Sequence, residues 1–208
     1  MILFERFRLP LISLLIASLL VSCTSIGTPN LVTDFSSRDA SGLVHAVIEI
    51  PAGTNAKCEV EKEHGQLLWE IKSGKPRVVQ YLPYPGNYGM IPQTILPRAL
   101  GGDGDPLDVI VLGPALERGV VVPVRVIGVL ELLDGGEQDD KLMAVSLDGP
   151  FRDVRDLSDL DARFAGVRLI VETWFSNYKG PGKMETRGWG NAERAEKILR
   201  AAERAFSE

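Results

Sequence analysis

An α+β domain, strands first and helices last, is the fold class this sequence predicts. Three observations predict it. Short β-forming segments crowd residues 44–145, Gly and Pro punctuate the gaps between them, and after Ser158 apolar residues fall at helical spacing. The simplest arrangement is a small closed barrel with helices packed against it. With 208 residues, 45% of them apolar and 25% charged, the chain can bury one proper core and does not read as disordered.

The N-terminus reads separately. Arg6 and Arg8 precede an apolar run from Leu9 to Val21, too short to cross ~30 Å of hydrocarbon comfortably, which fits an export signal. It ends in Leu20-Val21-Ser22-Cys23, which resembles the lipobox where bacterial lipoproteins are cleaved and the new N-terminal Cys acylated. That resemblance implies a signal peptide over 1–22, lipidation at Cys23 and a membrane partner through the lipid anchor. The chain would lie on the periplasmic side of the cell envelope. Thr24, standing where Asp would favour retention, fits the outer membrane. An uncleaved signal anchor with Cys23 a bystander is the alternative. Besides Cys23 only Cys58 is present, so the exported chain expects no internal disulfide.

Residues 23–41, rich in Ser, Thr, Asn, Asp and Pro, predict a flexible tether, and the folded domain is expected over 42–208. Val44–Ile50 predicts a strand ending at the Pro51-Ala52-Gly53 turn. Lys57–Lys62 and Gln66–Ile71 predict a hairpin about His64-Gly65. Asp108–Leu112, the long run Val120–Leu133 and Lys141–Val145 predict further strands. Leu160–Phe164, Leu169–Tyr178 and Asn191–Phe206 predict helices.

The sharpest chemical signal is Gly101-Gly102-Asp103-Gly104-Asp105-Pro106-Leu107-Asp108, with three carboxylates in six residues. Carboxylates this close repel and raise one another's pKa unless a hard cation neutralises them. An all-oxygen set suits Mg²⁺, Mn²⁺ or Ca²⁺, and no Cys and His set for zinc stands nearby. A solvated acidic turn is the bland reading. An EF-hand loop fails on spacing, because counting from Asp103 puts Asp108 at position 6 and Pro114 at position 12. A second acidic group, Asp134 to Asp140, reads alone as a charged hairpin loop. The formal charge of −5 supplies no basic footprint, so no nucleic-acid partner is expected.

Tyr84-Pro85-Gly86-Asn87-Tyr88-Gly89, Gly102 to Asp108, Gly128-Val129-Leu130 leading to Asp134, Asp139 and Lys141, and Asn177-Tyr178-Lys179 together resemble, in order and spacing, the family I soluble inorganic pyrophosphatases. The likeness runs from about Val44 to the C-terminal helix. It implies a five-stranded OB-like barrel with flanking helices, and hydrolysis of pyrophosphate to two orthophosphates. Mg²⁺ is the implied cofactor, with Mn²⁺ or Co²⁺ in substitution. Asp103, Asp105, Asp108, Asp134, Asp139 and Glu49 match metal-binding positions, with Asp105 also the general base. Lys57, Tyr88, Lys141, Tyr178 and Lys179 match phosphate-binding positions, Glu59 a polar site position and Lys183 a further contact. Arg77 matches the phosphate arginine across a segment, Ser73–Pro83, that aligns only with a gap. Gly135 stands where many members have Glu, and Tyr81-Leu82-Pro83 also departs from the pattern.

Two other readings fit the same residues. A longer phosphoanhydride such as tripolyphosphate would require an enlarged pocket. A non-catalytic envelope lipoprotein binding metal or phosphate on the same fold would be favoured by loss of a core aspartate or lysine, and none is lost. Bacterial members of the family are often hexamers, so a homo-oligomer is a further expectation, left open for a tethered chain.

Overall fold

The computed structural model describes residues 27–208 and shows a mixed sheet with helices packed on it. Its elements in chain order are β1 (Val44–Ile50), β2 (Cys58–Val60), β3 (Leu67–Trp69), β4 (Ile71–Lys72), β5 (Lys75–Pro76), β6 (Asn87–Met90), β7 (Asp108–Leu112), β8 (Val121–Asp134), β9 (Glu137–Gln138), β10 (Lys141–Ser146), α1 (Leu157–Arg163), α2 (Val167–Asn177), β11 (Met184–Asn191) and α3 (Ala192–Ser207). Strand β1 pairs with β6, β6 with β7, β7 with β10 and β10 with β8, while β8 also pairs with β1, so the pairings run in a ring. Only β7–β10 is parallel in that ring.

Both faces of β7 and β10 are covered, which is why their sequences are apolar almost without alternation. Ile110, Leu112, Met143 and Val145 join Leu160, Val171, Trp174 and Phe175 of α1 and α2 in one core cluster. Their neighbours Val109, Val111, Leu142 and Ala144 join Ala195, Ile198, Leu199 and Ala202 of α3 in a second. Each large side chain so buried contributes roughly 1.5–3 kcal/mol. Asn191 caps α3 by accepting from the Arg194 N–H at 2.9 Å, and Asp156 caps α1 in the same way through the Asp159 N–H at 2.8 Å. Among the described residues no helix is long and apolar enough to cross a membrane.

Two expectations need correction. Residues 30–39 are not a free tether. Leu31 and Val32 are buried with Val47, Val60 and Met90, and Leu31 N–H donates to the Gly65 carbonyl at 2.9 Å. Arg38 pairs with Glu196 at 3.0 Å and Glu203 at 2.9 Å on α3. Two apolar residues and one arginine, outnumbered by Ser, Thr and Asp in the sequence, find partners far along the chain. The second correction is β11, an eight-residue strand where no strand was expected. It holds few β-formers and two glycines, and its conformation comes from its pairing with β8, with a register shift beside Gly188 at φ 97°. Strand β6, in a segment for which the sequence predicts no element, is short and fully buried, held between β1 and β7. Residues 1–22 and Cys23 lie outside the described residues.

Candidate functional site

One end of the strand ring opens into a cavity of about 260 Å³. Twelve of the thirteen metal and phosphate candidates expected from the sequence line it, drawn from segments as far apart as Glu49 and Lys179, whereas Lys183, the further contact, lines an adjoining groove instead. Glu59 lines it as well, and so does Lys62, for which the sequence predicts only a place at the end of a strand.

Strand register places the buried half of this set. The β1–β6 ladder shifts between Ile48 and Ile50, leaving Glu49 as the extra residue of a bulge, the device by which a strand re-aims one side chain. The Glu49 carboxylate accepts from Val60 N–H at 2.7 Å and is 5% exposed. Burial, with repulsion from Asp108 and Glu59, pushes its pKa up to about 8 against the pull of Lys57. Asp108 opens β7 and Lys141 opens β10, and the parallel register sets these two residues side by side. Lys141, 1% exposed, donates to Asp108 and, at 2.6 Å, to Asp139. Burial alone would lower the Lys141 pKa, but Asp108 and Asp139 reverse that and raise it. Tyr88 on β6 is buried nearby, its hydroxyl held neutral by burial and by the Asp108 and Asp139 charges. Lys57 pairs with Glu59, its Nζ 5.2 Å from the Tyr88 ring centroid.

Turn chemistry places the other half. Asp103 accepts from the Asp105 N–H at 2.8 Å, closing a local turn. Gly104 N–H reaches the Leu96 carbonyl at 2.8 Å, and the Asp105 carbonyl receives Leu96 N–H at 2.8 Å. Gly104 adopts φ 81°, the left-handed region, and a Cβ on Gly102 would lie 2.7 Å from Leu96 backbone atoms. The glycines of the motif are therefore required by conformation and by close approach. Asp105 pairs with Lys62, and Asp134, at the end of β8, with Lys179. Arg77 is held by both oxygens of Glu70, at 2.9 and 2.7 Å. Tyr178 stacks on Trp174 with ring centroids 4.7 Å apart and planes 14° from parallel. Lys62 and Glu70 had no sequence signal, since each acts through a partner that only the hairpins bring near.

The donor chemistry decides whether a divalent cation fits. Seven carboxylates, Glu49, Glu59, Asp103, Asp105, Asp108, Asp134 and Asp139, face five cationic side chains, and no thiol or imidazole lines the cavity. Burial and repulsion from Asp108 raise the pKa of Asp103, and burial raises that of Asp139 against the pull of Lys141. An oxygen-only cavity with uncompensated negative charge suits a hard divalent ion. It would repel an anionic ligand that came without one. Among the described residues, the one group of three whose ligand atoms lie within 4.8 Å of one another is elsewhere, at Glu61, Glu63 and His64. Its closeness follows from a turn in which the Glu61 carboxylate accepts the N–H groups of Glu63 at 2.6 Å and His64 at 2.9 Å. The aspartates of the cavity are instead interleaved with lysines.

A family model described as inorganic pyrophosphatase matches residues 46–207. The chain belongs to that family. It is 37% identical to the inorganic pyrophosphatase of Kluyveromyces lactis over 165 residues, 72% of this chain and 58% of that one. The Mus musculus enzyme is also 37% identical, over 72% of this chain and 57% of its own. The chain thus spans a little over half the length of these curated relatives. Among solved structures, the inorganic pyrophosphatase from Thermus thermophilus superposes with a TM-score of 0.72 at 30% identity, covering 86% of this chain and all (100%) of that one. The enzyme from Schistosoma japonicum gives 0.77 at 29% identity over 84% of this chain and 71% of its own. The family fold and the cavity therefore coincide in one chain.

Proposed function

We propose that this chain hydrolyses inorganic pyrophosphate to two orthophosphates, using water activated by divalent cations, Mg²⁺ in the first place. The observation that carries the reading is the convergence of six carboxylates and six phosphate-binding candidates, from eight separate stretches of chain, on one cavity. Family membership supports it. The strand ring is read as a closed, five-stranded OB-like barrel with this cavity at one end.

Asp103, Asp105, Asp108, Asp134 and Asp139, with Glu49 behind them, would hold the metal. Bound there, it would neutralise the substrate's charge and bring the pKa of a water toward neutrality. The Asp105 carboxylate, 44% exposed and reaching into the cavity, accepts the proton of the attacking water. Lys57, Arg77, Lys141 and Lys179 hold the two phosphoryl groups in line and stabilise charge on the leaving phosphate. Tyr88 and Tyr178 add neutral hydroxyl donors. The lysines now paired with aspartates would turn to phosphate oxygens when substrate enters with its metal. Following ³¹P signals of pyrophosphate mixed with the full chain tests this. One pyrophosphate should give two orthophosphates with Mg²⁺ and none with a chelator. No conversion in Mg²⁺, Mn²⁺ or Co²⁺ would leave a binding protein.

The N-terminal sequence supports an exported, lipid-anchored protein, cleaved before Cys23, with residues 42–208 as the pyrophosphatase domain and 30–39 packed against it. Cys23→Ala should move the protein from the membrane to the soluble fraction. An unchanged membrane fraction would argue for an uncleaved anchor.

A further inference from the structure

The small hairpins that carry Lys57, Glu59 and Arg77 to the cavity have a second face. Side chains alternate along β2 to β5, so the pairs Cys58–Trp69, Val60–Leu67 and Ile71–Pro76 lie on the side turned away from Glu59, Glu70 and Arg77. Glu70 joins the two hairpins, donating its N–H to the Lys57 carbonyl at 2.9 Å and receiving the Arg77 N–H at 2.8 Å. One end of the outer face is covered, where Leu31 and Val32 pack with Val60 and Leu67. The rest is bare and still apolar. Trp69 is 43% exposed, Ile71 62% and Val78 44%, and Pro76 is exposed among them. The Trp69 indole N–H is satisfied by the Arg77 carbonyl at 2.7 Å. Exposed apolar residues scattered singly need no explanation, but a row of them on one face does. Where the row ends, Ser73 and Gly74, both at positive φ, close a tight turn that sets Lys72 across from Lys75, both exposed. Like charges so placed repel unless an anion stands against them.

Chain length and charge say what lies against this face. Leu31 is tied to the covered end of the row, its N–H donating to the Gly65 carbonyl, and Cys23 stands only eight residues before it. Eight residues reach at most about 29 Å, so an acylated Cys23 holds the β2–β3 hairpin close to lipid. We infer that Trp69, Ile71, Pro76 and Val78 rest on the lipid surface that holds the anchor, with Lys72 and Lys75 against its anionic headgroups. The inference rests on the lipid-anchored reading of Cys23 and goes beyond it, since the anchor limits distance and this face sets orientation. A tryptophan ring settles at the level of the headgroups. Lysine stems lie along apolar surface while their ammonium groups meet anionic lipid. With the outer face on the bilayer, Lys57, Glu59 and Arg77 point away from it, and the cavity opens to the aqueous side.

Quenching of tryptophan emission by brominated lipid tests this. The full chain, purified from its membrane and weighed by mass spectrometry for acylation at Cys23, is added from detergent to vesicles of brominated phosphatidylcholine, alone or mixed with phosphatidylglycerol. Wild type should sediment with the vesicles and lose roughly a third of its emission, the share of Trp69 among three tryptophans. Trp69→Phe should abolish that loss. Ile71→Glu with Val78→Glu should cut it about 3-fold or more in both kinds of vesicle, by placing charge against lipid. Lys72→Glu with Lys75→Glu should cut it about 3-fold in the mixed vesicles and leave it unchanged in the neutral ones; this pair decides the matter by itself if the apolar pair does not fold. Sedimentation without quenching, or quenching that no variant alters, overturns the inference and leaves the anchor intact. A dimer in detergent that Ile71→Glu dissociates would overturn it in favour of a second copy of the chain. An unmodified Cys23, or a chain that does not sediment with vesicles, overturns the anchor reading and this inference with it.

Discussion

The two halves of the cavity are built differently. Glu49, Tyr88 and Lys141 sit on strands of the ring, at 5%, 7% and 1% exposure, and their positions follow from ladder register and one bulge. Asp105, Lys62 and Arg77 sit on turns and small hairpins, and the Lys62–Asp105 pair is about half exposed at 51% and 44%. A buried ionic group is tied to the stability of the fold, because removing its partner strands a charge away from water. An exposed one is screened and contributes little to folding. The strand side should therefore couple function to stability, and the turn side should be free to serve chemistry alone.

Replacing Lys141 breaks that comparison most severely. Lys141→Ala leaves Asp108 and Asp139 facing each other with no ammonium between them, and should cost about 3–5 kcal/mol in urea unfolding with chelator present. Added Mg²⁺ should restore part of that loss, because the cation can neutralise the same carboxylates. A smaller effect is expected at Leu31, which packs under the β2–β3 hairpin and fixes its Gly65 turn. Leu31→Ala should lower stability by about 2 kcal/mol and raise KM more than it lowers kcat, since it loosens the hairpin carrying Lys57 and Lys62. The smallest effect belongs to the turn side. Lys62→Ala should change unfolding free energy by no more than about 0.5 kcal/mol. A loss comparable to that of Lys141→Ala, measured in the same assay, would erase the distinction.

The same division governs how much was legible in the sequence. The Asp103–Asp108 turn was readable because its chemistry is local. Its glycines, proline and Asp103 side chain shape a few consecutive residues, and their spacing survives into the structure unchanged. The β1, β7, β8 and β10 segments were readable because apolar β-formers mark them. What was not readable depends on partners distant in sequence. Lys62 and Glu70 enter the site only because hairpins fold them onto Asp105 and Arg77. Strand β11 exists because β8 extends far enough to pair with it, whatever its own weak preference. Leu31 and Val32 looked like linker residues because two apolar side chains make no periodic pattern, and their burial depends on a surface formed by β1, β2 and β6. The ring of pairings likewise rests on registers that no single strand encodes.

The central claim is that this cavity activates water for attack on pyrophosphate, and Asp105 tests it most directly because its side chain lies on the turn side, where chemistry and folding separate. Orthophosphate release from pyrophosphate in Mg²⁺ should be measured for wild type and Asp105→Asn, with thermal unfolding of both recorded in the same buffer. The account predicts metal-dependent turnover that falls by about 10²–10⁴ in the variant while its Tm stays close to that of wild type. A variant as active as wild type, or one that loses activity only in step with its stability, would contradict it.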